Sequence, residues 1–149
     1  YPIIGWLRDL RDIPHTIYDG ALENKPTSPL LETQQEIDTF CDWYIDYLLG
    51  DGMRFLNHYS YLPNILKRMD ELEAQGLTWQ HPKGGILGGS LDADFRGLII
   101  SKLCNDPHLD HKVIKIDREF HEKESYRCWW PYLDRLKEIL PTIEPKYNI

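Results

Sequence analysis

The chain has 149 residues, a net charge of −7, 42% hydrophobic and 28% charged residues, which is the size and balance of one folded domain and excludes a disordered segment. Its acidity excludes a protein that wraps nucleic acid, because phosphate neutralisation takes clustered Lys and Arg, and no apolar run reaches the roughly 20 residues of a membrane span. Cys41, Cys104 and Cys128 are odd in number and form no CxxC pair, which excludes a disulfide framework or zinc knuckle and predicts reduced thiols in an intracellular setting.

The sequence opens on Tyr1, so a processed start or a fragment boundary is expected. Residues 1–30 read as an irregular arm, punctuated by Pro14, Gly20, Pro26 and Pro29. Tyr1–Trp6 could pair as a short edge strand. The arm's apolar residues predict that it packs on the domain or on a partner. Residues 31–149 read as a single helical domain.

Residues 31–49 carry the clearest helical period. Ile37, Phe40, Cys41, Tyr44 and Leu48 recur at three- and four-residue spacing and make one apolar stripe, with Cys41 expected to be an inert thiol on it. Gly50 and Gly52 are expected to end that helix. A second period runs over 53–75, and Pro63, tolerated only in a first turn, places a break near Ser60–Leu62. Gly76 should stop the second piece. Residues 76–89 read as a loop with a possible strand at Leu77–Gln80, and the glycine-rich string from His81 to Gly89 reads as a flexible turn. It lacks the Gly-Lys-Ser/Thr of a P-loop, and Asp92 and Asp94 just beyond it disfavour phosphate.

Ser90 can cap a third helix whose apolar face is Leu91, Phe95, Leu98, Ile99 and Leu103. Asn105-Asp-Pro107 should end it. The alternation of Val113, Ile114 and Ile116 predicts a strand over His111–Asp117. Pro131 opens a last helix with Trp129, Tyr132, Leu133, Leu136, Ile139 and Leu140 facing inward. The fold class that follows is mainly α, with four to five helices and one or two short strands; a helix-dominated α+β domain is the alternative. The expected core is Phe40, Tyr44, Leu48, Leu66, Met69, Phe95, Leu98, Ile99, Leu133 and Leu136.

Four groups of residues bear on function. Asp38, Asp42 and Asp46 follow one another at four-residue steps, with no Lys or Arg between Lys25 and Arg54. Like charges at that spacing cost an isolated helix a few tenths of a kcal/mol per pair. Trp43 and Tyr47 flank the stripe, and Trp130 adjoins Trp129, so both indoles cannot face one core. Such aromatics are typical anchors of interfaces. The second group, His108, Asp110 and His111 with His121 downstream, has the ligand types of a Zn, Mn or Fe site but no zincin spacing. Third, Asp94 with Asp110-His-Lys112 superficially resembles the PD-(D/E)xK nuclease pattern, which would hold a metal between two carboxylates. Fourth, no cysteine has a histidine beside it in sequence, so no thiol nucleophile is indicated.

The expected function is a non-catalytic protein–protein interaction domain: an inhibitor, an immunity-like or adaptor protein, or a subunit of an assembly. It would bind a basic protein through Asp38, Asp42, Asp46, Trp43, Tyr47 and Trp130, with no nucleic acid, membrane or cofactor. The alternative is a metal-dependent hydrolase acting on a phosphoester around His108, Asp110, His111 and His121.

Overall fold

The computed structural model describes residues 32–81, 84–89 and 91–149. The N-terminal arm, the strand expected at Tyr1–Trp6, and Ser90 as a cap lie outside these residues. The described residues are helix-dominated, with no strand among them. They belong to two compact units, over 32–61 and 62–149.

The unit over 32–61 is one helical run. α1 spans Gln34–Tyr47, a π-helical segment spans Leu48–Gly52, and α2 spans Met53–Tyr59. A capping box sets its start: the Thr33 hydroxyl accepts from Glu36 N, and the Glu36 carboxylate accepts from Thr33 N at 2.8 Å. That Thr-x-x-Glu signature is legible in the sequence and places the start at Gln34, three residues later than the apolar period suggested. Gly50 and Gly52 do not stop the helix. Gly52 is right-handed, and the chain continues through a wider turn in which Met53 N donates to Leu48 O. Glycines that leave a helix need a left-handed conformation, and neither adopts it. Single π turns inside helices recur at functional sites.

In the second unit, α3 spans Leu62–Ala74, with Pro63 in its first turn. The expected break falls at Ser60–Tyr61, and Ser60 N closes α2 on Leu56 O. Gly76, at φ +71°, ends α3 in a Schellman motif: Leu77 N donates to Leu72 O and Gly76 N to Glu73 O. Ile65, Leu66, Met69 and Leu72 form its buried face.

The connection to the next helix is not a strand at Leu77–Gln80, nor a loose turn beyond it. Trp79 O accepts from both Ile86 N and Leu87 N, Arg68 reaches Gly84 O at 2.8 Å, and the Arg96 guanidinium donates to Gly88 O. Ile86 and Leu87 are buried. The glycines let this short stretch fold back and plug its own apolar pair into the core.

α4, Leu91–Leu103, is the central helix. Nine of its thirteen residues are buried, including Arg96 and Ser101, so its core contact extends well past the single stripe read from the sequence. Asn105, at φ 54°, ends it in a second Schellman turn, with Asp106 N donating to Ser101 O. α5 spans Leu109–Glu122 and replaces the strand expected at His111–Asp117. Its buried positions are Lys112, Ile116 and Phe120, one residue every four, while Ile114 is 59% exposed. A short 3-10 turn over Glu124–Trp129 leads into α6, Trp130–Ile139, with Pro131 in its first turn.

The core of this unit contains Leu66, Met69, Phe95, Leu98, Ile99, Leu133 and Leu136, as expected from sequence. Phe95 packs at a tilt against Phe120 and Trp129, at ring distances of 5.4 and 5.8 Å. Phe40, Tyr44 and Leu48 do not join a core: Phe40 is half-buried, and Tyr44 and Leu48 are about two-fifths exposed. They lie on the helix of the other unit, where among the described residues 32–61 only Gly52 is buried.

Candidate functional site

At about 100° per residue, α1 has two faces. Asp38, Asp42 and Asp46 lie along one, as read from the sequence. Gln34 donates to Asp38 at 2.8 Å. Among the described residues no Lys or Arg pairs with any of the three aspartates, and the first basic residue of the run, Arg54, is taken by Asp51. The other face carries an aromatic ladder. Phe40 stacks on Tyr44 at 5.9 Å, Trp43 stacks on Tyr47 at 5.9 Å, and Phe40 and Trp43 join the two pairs at 6.1 Å. Such contacts preorganise side chains that solvent still reaches.

Large apolar side chains are exposed beyond the ladder too, on the π segment and α2 and, at Ile45 and Leu49, on the aspartate side of the run. Leu49 is 71% exposed, Leu56 59% and Ile45 51%, and Ile37, Leu48 and Met53 are each about two-fifths exposed. Single exposed leucines are ordinary on a protein surface; this many large apolar side chains exposed along one helical run are not. Cys41, expected to be buried on this helix, is exposed.

Trp130 is half-buried in the other unit. Its indole N–H donates to Phe120 O at 3.0 Å and its ring stacks on His121 at 4.8 Å. Trp129 turns the opposite way, toward Phe95 and Tyr132. The adjacent indoles therefore brace two sides of α6.

The candidate metal residues all lie on α5 or at its start. His108 is the N-cap residue, Asp110 and His111 are exposed in the first turn, and His121 sits near the end. Ten residues of helix separate His111 from His121, a rise of about 15 Å, which no single ion spans. His121 turns to its own helix and to Asp117, whose carboxylate also binds Lys137 at 2.7 Å. Among the described residues no three His, Cys, Asp or Glu side chains are placed to hold a metal. Asp94 and Lys112 do line one cleft, whereas Asp110 is not among its lining residues.

Lys112, whose buried ion bridge was not foreseen, entered the sequence reading only through a nuclease-like pattern. It is 3% exposed, and its ammonium bridges Asp106 at 2.7 Å and Asp70 at 2.5 Å. Burial alone would lower its pKa, but the hydrogen bonds it donates to the Asp106 and Asp70 carboxylates outweigh that and raise it. Asp106 is held below the ordinary carboxylate range, since donation from Lys112 and from His108 N outweighs its burial. The bridge ties α3, the α4–α5 turn and α5 together. The adjacent Cys104 thiol is pushed up to about 11, mainly by burial, and is not a nucleophile at neutral pH.

Compared with protein-family models, with curated proteins and with solved structures, the chain has no match.

Proposed function

We propose that the chain is a protein-interaction module whose α1–α2 helix seats against a basic helical partner. The observation that supports this is the set of exposed apolar and aromatic side chains from Ile37 to Leu56 on the same helical run as three aspartates that no Lys or Arg pairs with among the described residues. An amphipathic helix that keeps its apolar stripe in water gains its stability by covering that stripe. Charge selects the occupant. Glu32, Glu36, Asp38, Asp42, Asp46 and Asp51 all fall between Lys25 and Arg54, an interval with no Lys or Arg in it. A second copy would bring acid against acid, whereas a helix with Lys or Arg flanking an apolar seam complements both faces. Trp43 and Tyr47 are the anchors, because stacked aromatics offer large area with little rotamer freedom left to lose.

The test uses two synthetic helices with leucine at the seam positions, one flanked by lysine and one by glutamate. The lysine helix is expected to bind with a micromolar Kd that weakens as salt rises, and the glutamate helix is not. Trp43→Ala with Tyr47→Ala should cost about 2 kcal/mol or more of that affinity. Changing the three aspartates to asparagine should leave the helix intact or slightly more stable, yet slow association about ten-fold at low salt. Equal binding of both helices, or an unchanged rate in the asparagine variant, sinks the reading. A dimer in light scattering that is lost with Leu49→Lys would make the partner a second copy.

A further inference from the structure

A cleft of about 260 Å³ opens among the end of α3, the turn around Trp79, α4 and α5. It lies wholly within residues 62–149. We infer that this cleft is a binding site for a small organic cation, a primary amine or a guanidinium carried on a short apolar stem.

The shape sets the size. The volume falls below the roughly 300–1,000 Å³ that holds drug-sized ligands, so the occupant has few atoms. Trp79 and Ile116 form an apolar wall, each about one-twentieth exposed, and Leu77 extends it. The wall is built rather than accidental. The Trp79 ring lies directly over Gly97 of α4, where a Cβ would come within 2.2 Å of it, and its carbonyl is held by two backbone amides.

The polar side sets the sign. Asp94, Glu119 and Glu73 line the cleft together with Lys112 and Lys115. Both lysines are engaged: Lys112 by Asp106 and Asp70, Lys115 by Glu73 at 2.5 Å. Three carboxylates therefore share the cleft with two ammonium groups, and that of Lys112 is already neutralised by Asp106 and Asp70, which do not line it. Asp94 accepts a hydrogen bond from Gln80 Nε2 at 2.8 Å on Oδ1, and its Oδ2 has no donor among the described residues. A guanidinium or ammonium would supply that donor and the missing charge, with its stem against Trp79. The arrangement does not suit a metal ion, since no three ligating side chains converge among the described residues.

Asp94 costs the fold something in its charged form. Burial raises its pKa to about 6, and Glu119 on α5 and Asp92 on α4 push the same way; Gln80 and Lys115 pull it down. A carboxylate whose ionisation the fold disfavours, placed in a cavity, is characteristic of a site rather than of a scaffold. The sign of the pH dependence follows. Below pH 6 Asp94 takes a proton and the cation loses its partner. Above it the carboxylate is free to bind.

The experiment is a titration of the whole chain with n-butylamine, followed by ¹H–¹⁵N NMR at pH 7.5 and pH 5, with n-butanol and butyrate as neutral and anionic matches. Butylamine is expected to shift the Trp79 indole and the 77–80 amides saturably, with a millimolar Kd at pH 7.5 that weakens about ten-fold at pH 5. Asp94→Asn should weaken binding at least ten-fold at pH 7.5 and remove the pH dependence. Its melting temperature at that pH should equal or exceed that of the parent, because the disfavoured charge is gone. Glu119→Gln, an exposed position, gives a second variant expected to weaken binding several-fold. Equal shifts from butanol, tighter binding of butyrate, linear shifts spread over the acidic surface, or an unaltered Kd in both variants would each overturn the assignment.

Discussion

Lys112→Met is expected to destabilise the protein by about 3–5 kcal/mol at neutral pH, the cost of leaving a buried charge without its partner. The stranded group is Asp106, whose side chain is 1% exposed and whose Oδ2 accepts from Lys112. Urea unfolding at several pH values separates the causes. In the parent, Asp106 has a lowered pKa, so its stabilisation is present above the ordinary carboxylate value and is lost as pH falls. In the variant Asp106 is buried without a counter-charge, its pKa rises, and folding favours the protonated form. The deficit should therefore be largest near pH 7.5 and shrink toward pH 4.5. Adding Asp106→Asn should recover part of the loss, since the amide oxygen can still accept from His108 N, as Oδ1 does at 2.8 Å. A deficit of equal size at both pH values would assign the loss to the packing of the lysine stem.

The second large effect is expected at Gly97. A methyl group there would come within 2.2 Å of Trp79 Cζ3 and 3.0 Å of Met69 Cε. Alanine in a helix interior normally gains about 1 kcal/mol over glycine. Here the indole cannot yield easily, because the Trp79 carbonyl is fixed by Ile86 N and Leu87 N. Overpacking of about 1–3 kcal/mol or more should prevail, so Gly97→Ala should lower the urea midpoint and shift tryptophan emission to the red. Unchanged midpoint and emission would mean that Trp79 has room to move.

Both positions mark where the sequence could and could not be read. Local stereochemistry was legible. Pro63 placed the break before α3, Gly76 its end, and Pro131 the start of α6, because each acts on the backbone within a turn. The run Val113-Ile-Lys-Ile116 misled, because in so short a stretch alternation and helical spacing both fit. What decides α5 is the buried row Lys112, Ile116 and Phe120, and a lysine counts as a core residue only once its partners are known. One of them, Asp70, lies 42 residues away. Gly50 and Gly52 misled for the opposite reason: glycine permits a helix end without imposing one.

Of the candidate surfaces, the acidic stripe could be read as a helical face, since all three aspartates sit on one element. That the neighbouring apolar stripe stays exposed could not, because periodicity says which residues share a face and not what covers it. The cleft around Asp94 was invisible. Its wall comes from four segments spread over 47 positions, from Glu73 to Glu119, and Asp94 alone reads as an ordinary acidic residue in a helix's first turn.

The central place of α4 has a consequence for hydrogen exchange. With nine of its thirteen residues buried, its amides can meet solvent deuterium only when the surrounding helices part, so they should report opening of the 62–149 unit as a whole. In α1 and α2 no described residue is buried, and their amides should exchange orders of magnitude faster through local fraying. The molecule thus carries its own internal clock. A ligand in the cleft would slow the amides that already exchange slowly, and a partner on α1 would slow the fast ones, so one deuterium time course can tell which surface is occupied.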